Sequence, residues 1–276
     1  MTRDFNTPVF TQNDRAANYG DGCFTTIALL FGRPQLIDLH FARLAQDCHR
    51  LAIPFCEIDE LKIQLDDIIA KHQSGRHALK VLISRGEGGR GYSPIGCNEP
   101  RLHISIHPYP RHYDDWKNRG ISLGLASLKL GKQPLLAGIK HLNRLEQVLI
   151  KRELFDQDLD DLLVVDTDDR VIESSAANVY WFSNRTGWHT PCVDEAGVAG
   201  VLREAMLTFM QKHRIQLQVG YYSVEDVLAA DAVFICNSLS GIVPVKSLNT
   251  QQASKTFKPE VINRFISEFN HWVSKE

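Results

Sequence analysis

The chain has 276 residues, and at roughly 150 residues per domain that length fits one large or two modest domains with a substantial buried core, not a disulfide-stapled mini-protein. Its 31 Lys plus Arg against 33 Asp plus Glu give a net charge of -2, and 43% hydrophobic with 23% charged residues is the balance of an ordinary globular protein. That balance argues against intrinsic disorder and against a basic surface for nucleic acid.

Met1 to Phe10 carries Arg3, Asp4 and Asn6 with no apolar segment behind them, so no signal peptide is read and a cytoplasmic protein is expected. No run approaches the roughly 18 apolar residues of a membrane helix. The six cysteines (Cys23, Cys48, Cys56, Cys97, Cys192, Cys236) show no C-x-x-C pair and no His spacing of a zinc site, and are read as reduced, mostly buried thiols.

In chain order, Phe24 to Phe31 is aromatic, β-branched or leucine; Gly32-Arg33-Pro34 makes a turn, and Gln35 to Asp38 resumes an extended pattern, together a β-hairpin. Phe41, Leu44, Ala45, Cys48, Leu51 and Ala52 recur at three- and four-residue intervals, the signature of an amphipathic helix ending before Pro54. Leu61 to His72 repeats it. Strands are expected at Ala78 to Ser84 and Arg101 to His107 around a glycine-rich loop. Tyr109 to Arg119, polar and irregular around Pro110, reads as the connection between a small α+β domain (1–112) and a larger α/β domain (113–276). Beyond it the pattern predicts a strand at Ile121 to Ala126, a helix from near Leu142, and strands at Asp161 to Asp166, Val171 to Ile172, Val179 to Phe182 and Trp188 to His189. A helix over Gly200 to His213, extended runs at Gln216 to Tyr222 and Ala232 to Cys236, and a helix over Pro259 to Trp272 complete the chain.

Five stretches carry residue types suited to chemistry. Gly86, Gly88 and Gly91 match G-x-G-x-x-G after a strand, but a dinucleotide site needs a helix to start there, and Tyr92-Ser93-Pro94-Ile95-Gly96 breaks one. Arg85, Arg90 and Tyr92 on that loop can instead offer cations and a phenol to an anionic substrate. In GIKHLNRLEQ, Lys140 stands just before a helix whose apolar face is Leu142, Leu145, Leu149 and Ile150. Glu173 opens ESSAAN between two extended runs. GVAGVL, Gly197 to Leu202, opens a helix whose free N–H groups and dipole suit a phosphate, and Asn237 to Gly241 adds hydroxyls and further N–H groups. A lysine for imine formation, a carboxylate and two phosphate-cradling turns are what pyridoxal 5′-phosphate requires of a protein.

The blocks DRAANYGDGCFTT, SRGEGGRGYSP, LAGIKHLNRLEQVLI, ESSAANVYW and CNSLSGIVPV, spread over the whole chain, resemble the fold-type IV pyridoxal-phosphate enzymes: branched-chain aminotransferases, D-amino-acid aminotransferases and 4-amino-4-deoxychorismate lyases. The lysine block and the RGxGGRGY loop are most similar to the lyase branch. This resemblance implies a two-domain α+β fold like that of D-amino-acid aminotransferase, with the cofactor at the domain interface and two copies of the chain forming a homodimer.

By the same resemblance Lys140 is the residue bonded to pyridoxal 5′-phosphate and shuttles protons, Glu173 bonds the pyridine nitrogen, and Arg43 of the pattern His40-x-x-Arg43 binds the phosphate. Val201 and Leu202 offer it backbone N–H groups, Val198 packs on the ring, and Ser238 or Ser240 supplies a hydroxyl. Arg90, Tyr92, Arg85 and Tyr109 are the candidates for the substrate, aminodeoxychorismate. Leu145 stands where branched-chain aminotransferases carry a tyrosine, which favours elimination to 4-aminobenzoate and pyruvate in folate synthesis over transamination. A cofactor-binding protein without activity and a nicotinamide enzyme are the remaining alternatives.

Overall fold

In the first strand, β1 (Gly22–Leu30), Cys23, Thr25, Ile27 and Leu29 are all buried on one face, the period of two that a half-buried strand dictates. A short helix, α1 (Arg15–Tyr19), precedes it, and β2 (Arg33–Pro34) folds back on Leu29 and Leu30 through Phe31 and Gly32, both at positive φ. The extended segment expected over Gln35 to Asp38 is instead the start of α2 (Ile37–Arg50): Phe41, Leu44 and Cys48 continue a period that begins at Ile37, and Asp38 suits the positive end of the helix dipole. Helix α3 (Ile58–Lys71) buries Leu61, Leu65 and Ile68, and strands β3 (Arg76–Ser84) and β4 (Arg101–Pro108) complete an antiparallel sheet in the order β2-β1-β3-β4. Ile27, Leu29, Leu79, Val81 and Ile83 pack against α2 and α3 to form this unit's core.

This computed structural model describes residues 10–55 and 58–275, the side chain at position 156 excepted. Cys56 and residues 1–9, weighed above for a targeting segment, lie outside the described residues. Contacts divide the chain into Met1–Tyr109 with Ile139–Asn143, and Pro110–Gly138 with Arg144–Glu276. Lys140 thus counts with the first unit, whereas a single cut at 112/113 assigns it to the second.

The second unit begins with α4 (His112–Arg119), where the sequence reads as an irregular connection. This helix buries no residue and so shows no apolar period; Asp114 and Asp115 in its first turn and Lys117 and Arg119 in its last match the dipole instead. After β5 (Ile121–Leu125), helix α5 (Leu145–Glu153) starts three residues later than expected and buries only Ile150. The remaining elements are β6 (Asp161–Val165), β7 (Val171–Ser174), β8 (Asn178–Ser183), β9 (Gly187–Pro191), α6 (Val201–Lys212), β10 (Leu217–Gly220), α7 (Val224–Leu228), β11 (Ala232–Asn237), β12 (Gly241–Asn249), β13 (Ser254–Thr256) and α8 (Asn263–Val273).

The strands make one mixed sheet ordered β10-β9-β8-β11-β12-β5-β6-β7, with β13 on β12. Tyr180 on β8 stacks on Phe234 of β11 at 5.1 Å, and Phe209 of α6 meets Phe269 of α8 at 5.4 Å, so helices and sheet share an aromatic core. Among the described residues no helix is long and apolar enough to cross a membrane. Of the five described cysteines, all free thiols, Cys23, Cys48, Cys97 and Cys236 are buried.

Candidate active site

In the first unit the chemistry-bearing residues gather on the buried face of α2 and the strand it covers. His40 and Arg43 stand three apart and Arg43 and Asp47 four apart, so all three project to one side of the helix. Arg43 Nη2 donates to Thr25 Oγ1 in a short hydrogen bond, and the same oxygen lies 2.5 Å from His40 Nδ1. Burial pushes the Arg43 guanidinium down to about 10 while the Asp47 charge resists, so it remains a cation at neutral pH. Burial, then the Arg43 charge, holds His40 well below the usual histidine range, so the ring is neutral.

Lys140 enters this unit on a short paired segment. Its carbonyl accepts from Phe24 N–H at 3.0 Å, Leu142 N–H donates to the Gly22 carbonyl at 3.0 Å, and its own N–H donates to Asp47 Oδ2 at 3.2 Å. The Lys140 Nζ sits 4.7 Å from the centre of the Phe24 ring, a cation–π contact of about 0.5–2 kcal/mol that holds the amine over β1. The backbone, not only the side chain, fixes where the amine is.

In the second unit, Glu173 lies within β7, not in a turn between strands, and is 5% exposed. Its Oε2 accepts from Val198 N–H at 3.0 Å, and the Val198 carbonyl accepts from Asn178 Nδ2 at 2.8 Å, so the carboxylate and the GVAG segment are locked together. Gly138 pairs with the same segment, its N–H donating to the Gly197 carbonyl and its carbonyl accepting from Ala199 N–H. Gly200 caps α6 without a side-chain partner, leaving Val201 and Leu202 N–H groups at the positive end of the helix. A Cβ at Gly200 would fall 2.3 Å from Asn178 Oδ1, so a side chain there must displace the amide that holds the Val198 carbonyl.

The turn after β11 is an Asx turn, in which Asn237 Oδ1 accepts from Leu239 and Ser240 N–H groups at 2.9 and 2.7 Å. Ser238 is half-buried at its tip, whereas the Ser240 hydroxyl is turned back to donate to the Gly241 carbonyl at 3.2 Å. Ser240 is therefore not brought forward as a phosphate donor.

The glycine-rich loop divides its three candidates. Arg90 is exposed and Tyr92 is 87% exposed, and no helix begins after the glycines, which removes the nicotinamide reading. Arg85 is a correction: it is 7% exposed, its Nε donates to Asp21 Oδ2 at 2.8 Å, and its other nitrogens donate to the Leu51 and Ala52 carbonyls at 2.7 and 2.6 Å. A guanidinium spent on a carboxylate and two carbonyls does not clamp a substrate. Tyr109 is buried, with Arg76 4.8 Å from its ring centre.

Asp47 and Asn178 escaped the sequence reading. Each carries one backbone hydrogen bond to a segment remote in sequence, and only the position of Asn178 in ESSAAN offered a hint. Each unit by itself carries groups that a phosphorylated aromatic aldehyde uses. In the first, Arg43 Nε and His40 Nε2 are buried without a protein partner and Lys140 offers an amine. In the second, Glu173 is a buried carboxylate and α6 opens with uncapped N–H groups.

Comparison with known proteins agrees with this chemistry. The family model for amino-transferase class IV matches residues 22–248. An aminodeoxychorismate lyase of Vibrio harveyi is 38% identical over 239 residues, 87% of each chain. A crystal structure of 4-amino-4-deoxychorismate lyase from Pseudomonas aeruginosa superposes with a TM-score of 0.87 at 33% identity, covering 98% of this chain and 96% of that one. The PLP-bound form of a hypothetical aminotransferase from Mycobacterium tuberculosis, at 19% identity and a TM-score of 0.81 over 97% of this chain and 94% of its own, shares the fold. With well over half its length matched, this chain belongs to the amino-transferase class IV family.

Proposed function

We propose that the chain is a 4-amino-4-deoxychorismate lyase that uses pyridoxal 5′-phosphate, releasing pyruvate and 4-aminobenzoate in folate synthesis. The observation that carries this reading is the Lys140 amine, fixed over Phe24 by a backbone bonded to Asp47, in a chain 38% identical to a lyase of that name. Lys140 Nζ would hold the cofactor, Glu173 its ring nitrogen, and Arg43, the Val201 and Leu202 N–H groups and Ser238 its phosphate, with Val198 against the ring. When bound, the cofactor supplies an electron sink for negative charge developing beside the substrate nitrogen.

The protein's own residues do the rest. Lys140 Nζ takes the proton from C4 of the substrate, and the electron pair left behind expels the enolpyruvyl oxygen from C3. One C–H and one C–O bond break, the ring becomes aromatic, and pyruvate departs as its enolate, which takes back from Lys140 Nζ the proton removed from C4. Glu173, whose Oε2 accepts from Val198 N–H, would hold a proton on the ring nitrogen and so sustain the sink. Arg90 and Tyr92 orient the substrate carboxylates.

On the same reading the protein is a cytoplasmic homodimer. Leu145, Val148 and Leu149 of α5, which expose 70%, 59% and 45% of their surface, supply the self-complementary face. The deciding assay supplies aminodeoxychorismate without any 2-oxo acid. Pyruvate release supports the lyase, and turnover that requires an acceptor supports an aminotransferase.

A further inference from the structure

The segment from Asp14 to Asp21 has no role in the chemistry above, yet it is tied to the glycine-rich loop at every turn. Asp14, fully buried, accepts from Ser84 Oγ, which in turn accepts from Gly86 N–H at 2.8 Å, and Arg15 N–H donates to the Gly86 carbonyl at 2.9 Å. The Arg15 side chain, 4% exposed, goes further. Its Nη1 donates to the Gly91 and Ser93 carbonyls at 3.1 and 3.2 Å, and its Nη2 donates to the Tyr92 carbonyl at 3.1 Å. Nε is left for Asp21 Oδ2 at 2.8 Å. Burial works to raise the Asp21 carboxyl, but the hydrogen bonds from Arg85 and Arg15 outweigh it and keep the group ionised beneath the loop.

A planar fork that satisfies three successive carbonyls leaves that stretch of backbone one shape. The loop is cut to receive it: Gly89 is at φ +71, and a Cβ there would lie 2.1 Å from the Ser93 carbonyl and 3.1 Å from Arg15 Nη1. Ser93 N–H closes the turn on the Arg90 carbonyl at 3.2 Å, and Tyr19, which Arg15 overlies at 4.8 Å, meets the Tyr92 ring at 5.4 Å.

We infer that Arg15 is a positioning residue for substrate recognition, a buried template that fixes the Arg90–Ser93 turn and thereby aims Arg90 and Tyr92. The inference rests on the reading that this turn faces the substrate, and it assigns the loop's order to a side chain 76 residues away, not to its own sequence. Ordering the turn before substrate arrives lowers the entropy cost of binding, so its loss falls on KM.

The test uses cofactor-loaded enzyme carrying Arg15→Met, Tyr92→Ala or both, with Arg15→Lys as the variant that keeps the charge beside Asp21 but cannot span three carbonyls. Arg15→Met and Arg15→Lys are expected to raise KM about tenfold with kcat within about twofold, and the double variant to raise it by less than the product of the two single effects, because Arg15 acts in part through Tyr92 and coupled residues are not additive. Trypsin cleavage after Arg90 should accelerate by about tenfold in both Arg15 variants, a readout of loop order that needs no substrate. Unchanged KM in Arg15→Lys while Tyr92→Ala raises it, additive effects in the double variant, or equal losses in kcat and cofactor loading would each overturn the positioning role. If Tyr92→Ala and Arg90→Ala both leave KM untouched, the substrate-facing reading of the turn falls, and the inference with it.

Discussion

Asp47 and Lys140 lie 93 positions apart in sequence and are joined by one hydrogen bond, from the lysine's backbone N–H to Asp47 Oδ2 at 3.2 Å. The same carboxylate, 3% exposed, acts electrostatically on Arg43 one helical turn earlier. A single buried carboxylate therefore both holds the Lys140 backbone and acts on Arg43, the two residues to which the proposed function gives the cofactor's aldehyde end and its phosphate.

Replacing Asp47 separates those two effects. Asp47→Ala strands the Lys140 N–H and should cost about 1.5–3 kcal/mol, the range for a buried hydrogen bond to a charged group. Asp47→Asn keeps an acceptor for that N–H but removes the charge. It should hold most of the stability while weakening cofactor retention through Arg43. Urea unfolding and the fraction of Lys140 trapped with cofactor by borohydride measure the two outcomes, and equal behaviour of both variants would contradict the division.

Glu173→Gln leaves an oxygen for the Val198 N–H, so the fold and the GVAG segment should survive. What disappears is the carboxylate to which the proposed function gives the proton on the cofactor's ring nitrogen. The expected result is a fall in kcat of about 10²- to 10⁴-fold, the range for proton-holding groups, with a change in cofactor affinity of less than about tenfold. Steady-state kinetics beside a cofactor titration decide it; affinity falling in step with kcat would make Glu173 a binding residue only.

Val148→Glu and Leu149→Glu test the exposed stripe on α5. If a second copy covers that face, each variant buries an unpaired charge, and the dimer should dissociate at least about 10²-fold more readily, close to 3 kcal/mol. Sedimentation equilibrium reads this directly. A wild-type chain that sediments as a monomer would remove the homodimer.

The sequence revealed elements whose apolar residues repeat, and concealed those held by other means. Helix α2 is legible because Phe41, Leu44 and Cys48 share its buried face, and β1 because Cys23, Thr25, Ile27 and Leu29 alternate. Helix α4 buries nothing, so in the sequence its charges look like a loop. The face of α5 misled in the opposite sense: Leu145 and Leu149 have helical spacing but point to solvent within one chain. At the site, residues with functional chemistry stood out, whereas Asp47, Asn178 and Arg15 act by bonding to backbone, and no composition or spacing marks which carbonyl or N–H a polar side chain will meet. Arg85 shows the converse, since a loop arginine attractive for anion binding is consumed by Asp21, Leu51 and Ala52.

His40 gives the pH prediction its sign. The ring is fully buried beside Arg43, and desolvation with that positive neighbour depresses its folded pKa, while the unfolded chain has the ordinary histidine value of about 6.5. Above about 6.5 both states carry a neutral ring and His40 adds no pH dependence. Below it the unfolded chain takes up a proton that the folded chain refuses, so stability falls by up to about 1.4 kcal/mol per pH unit until the folded pKa is reached. His40→Asn removes the titration and keeps a polar partner for Thr25. The difference in unfolding free energy between wild type and this variant, measured in urea from about pH 8 to about pH 5, should therefore be flat at first and then tilt against the wild type below about 6.5. Parallel curves over the acidic part of that range would mean that His40 is protonated equally in both states, and the neutral, desolvated ring between Thr25 and Arg43 would have to be abandoned.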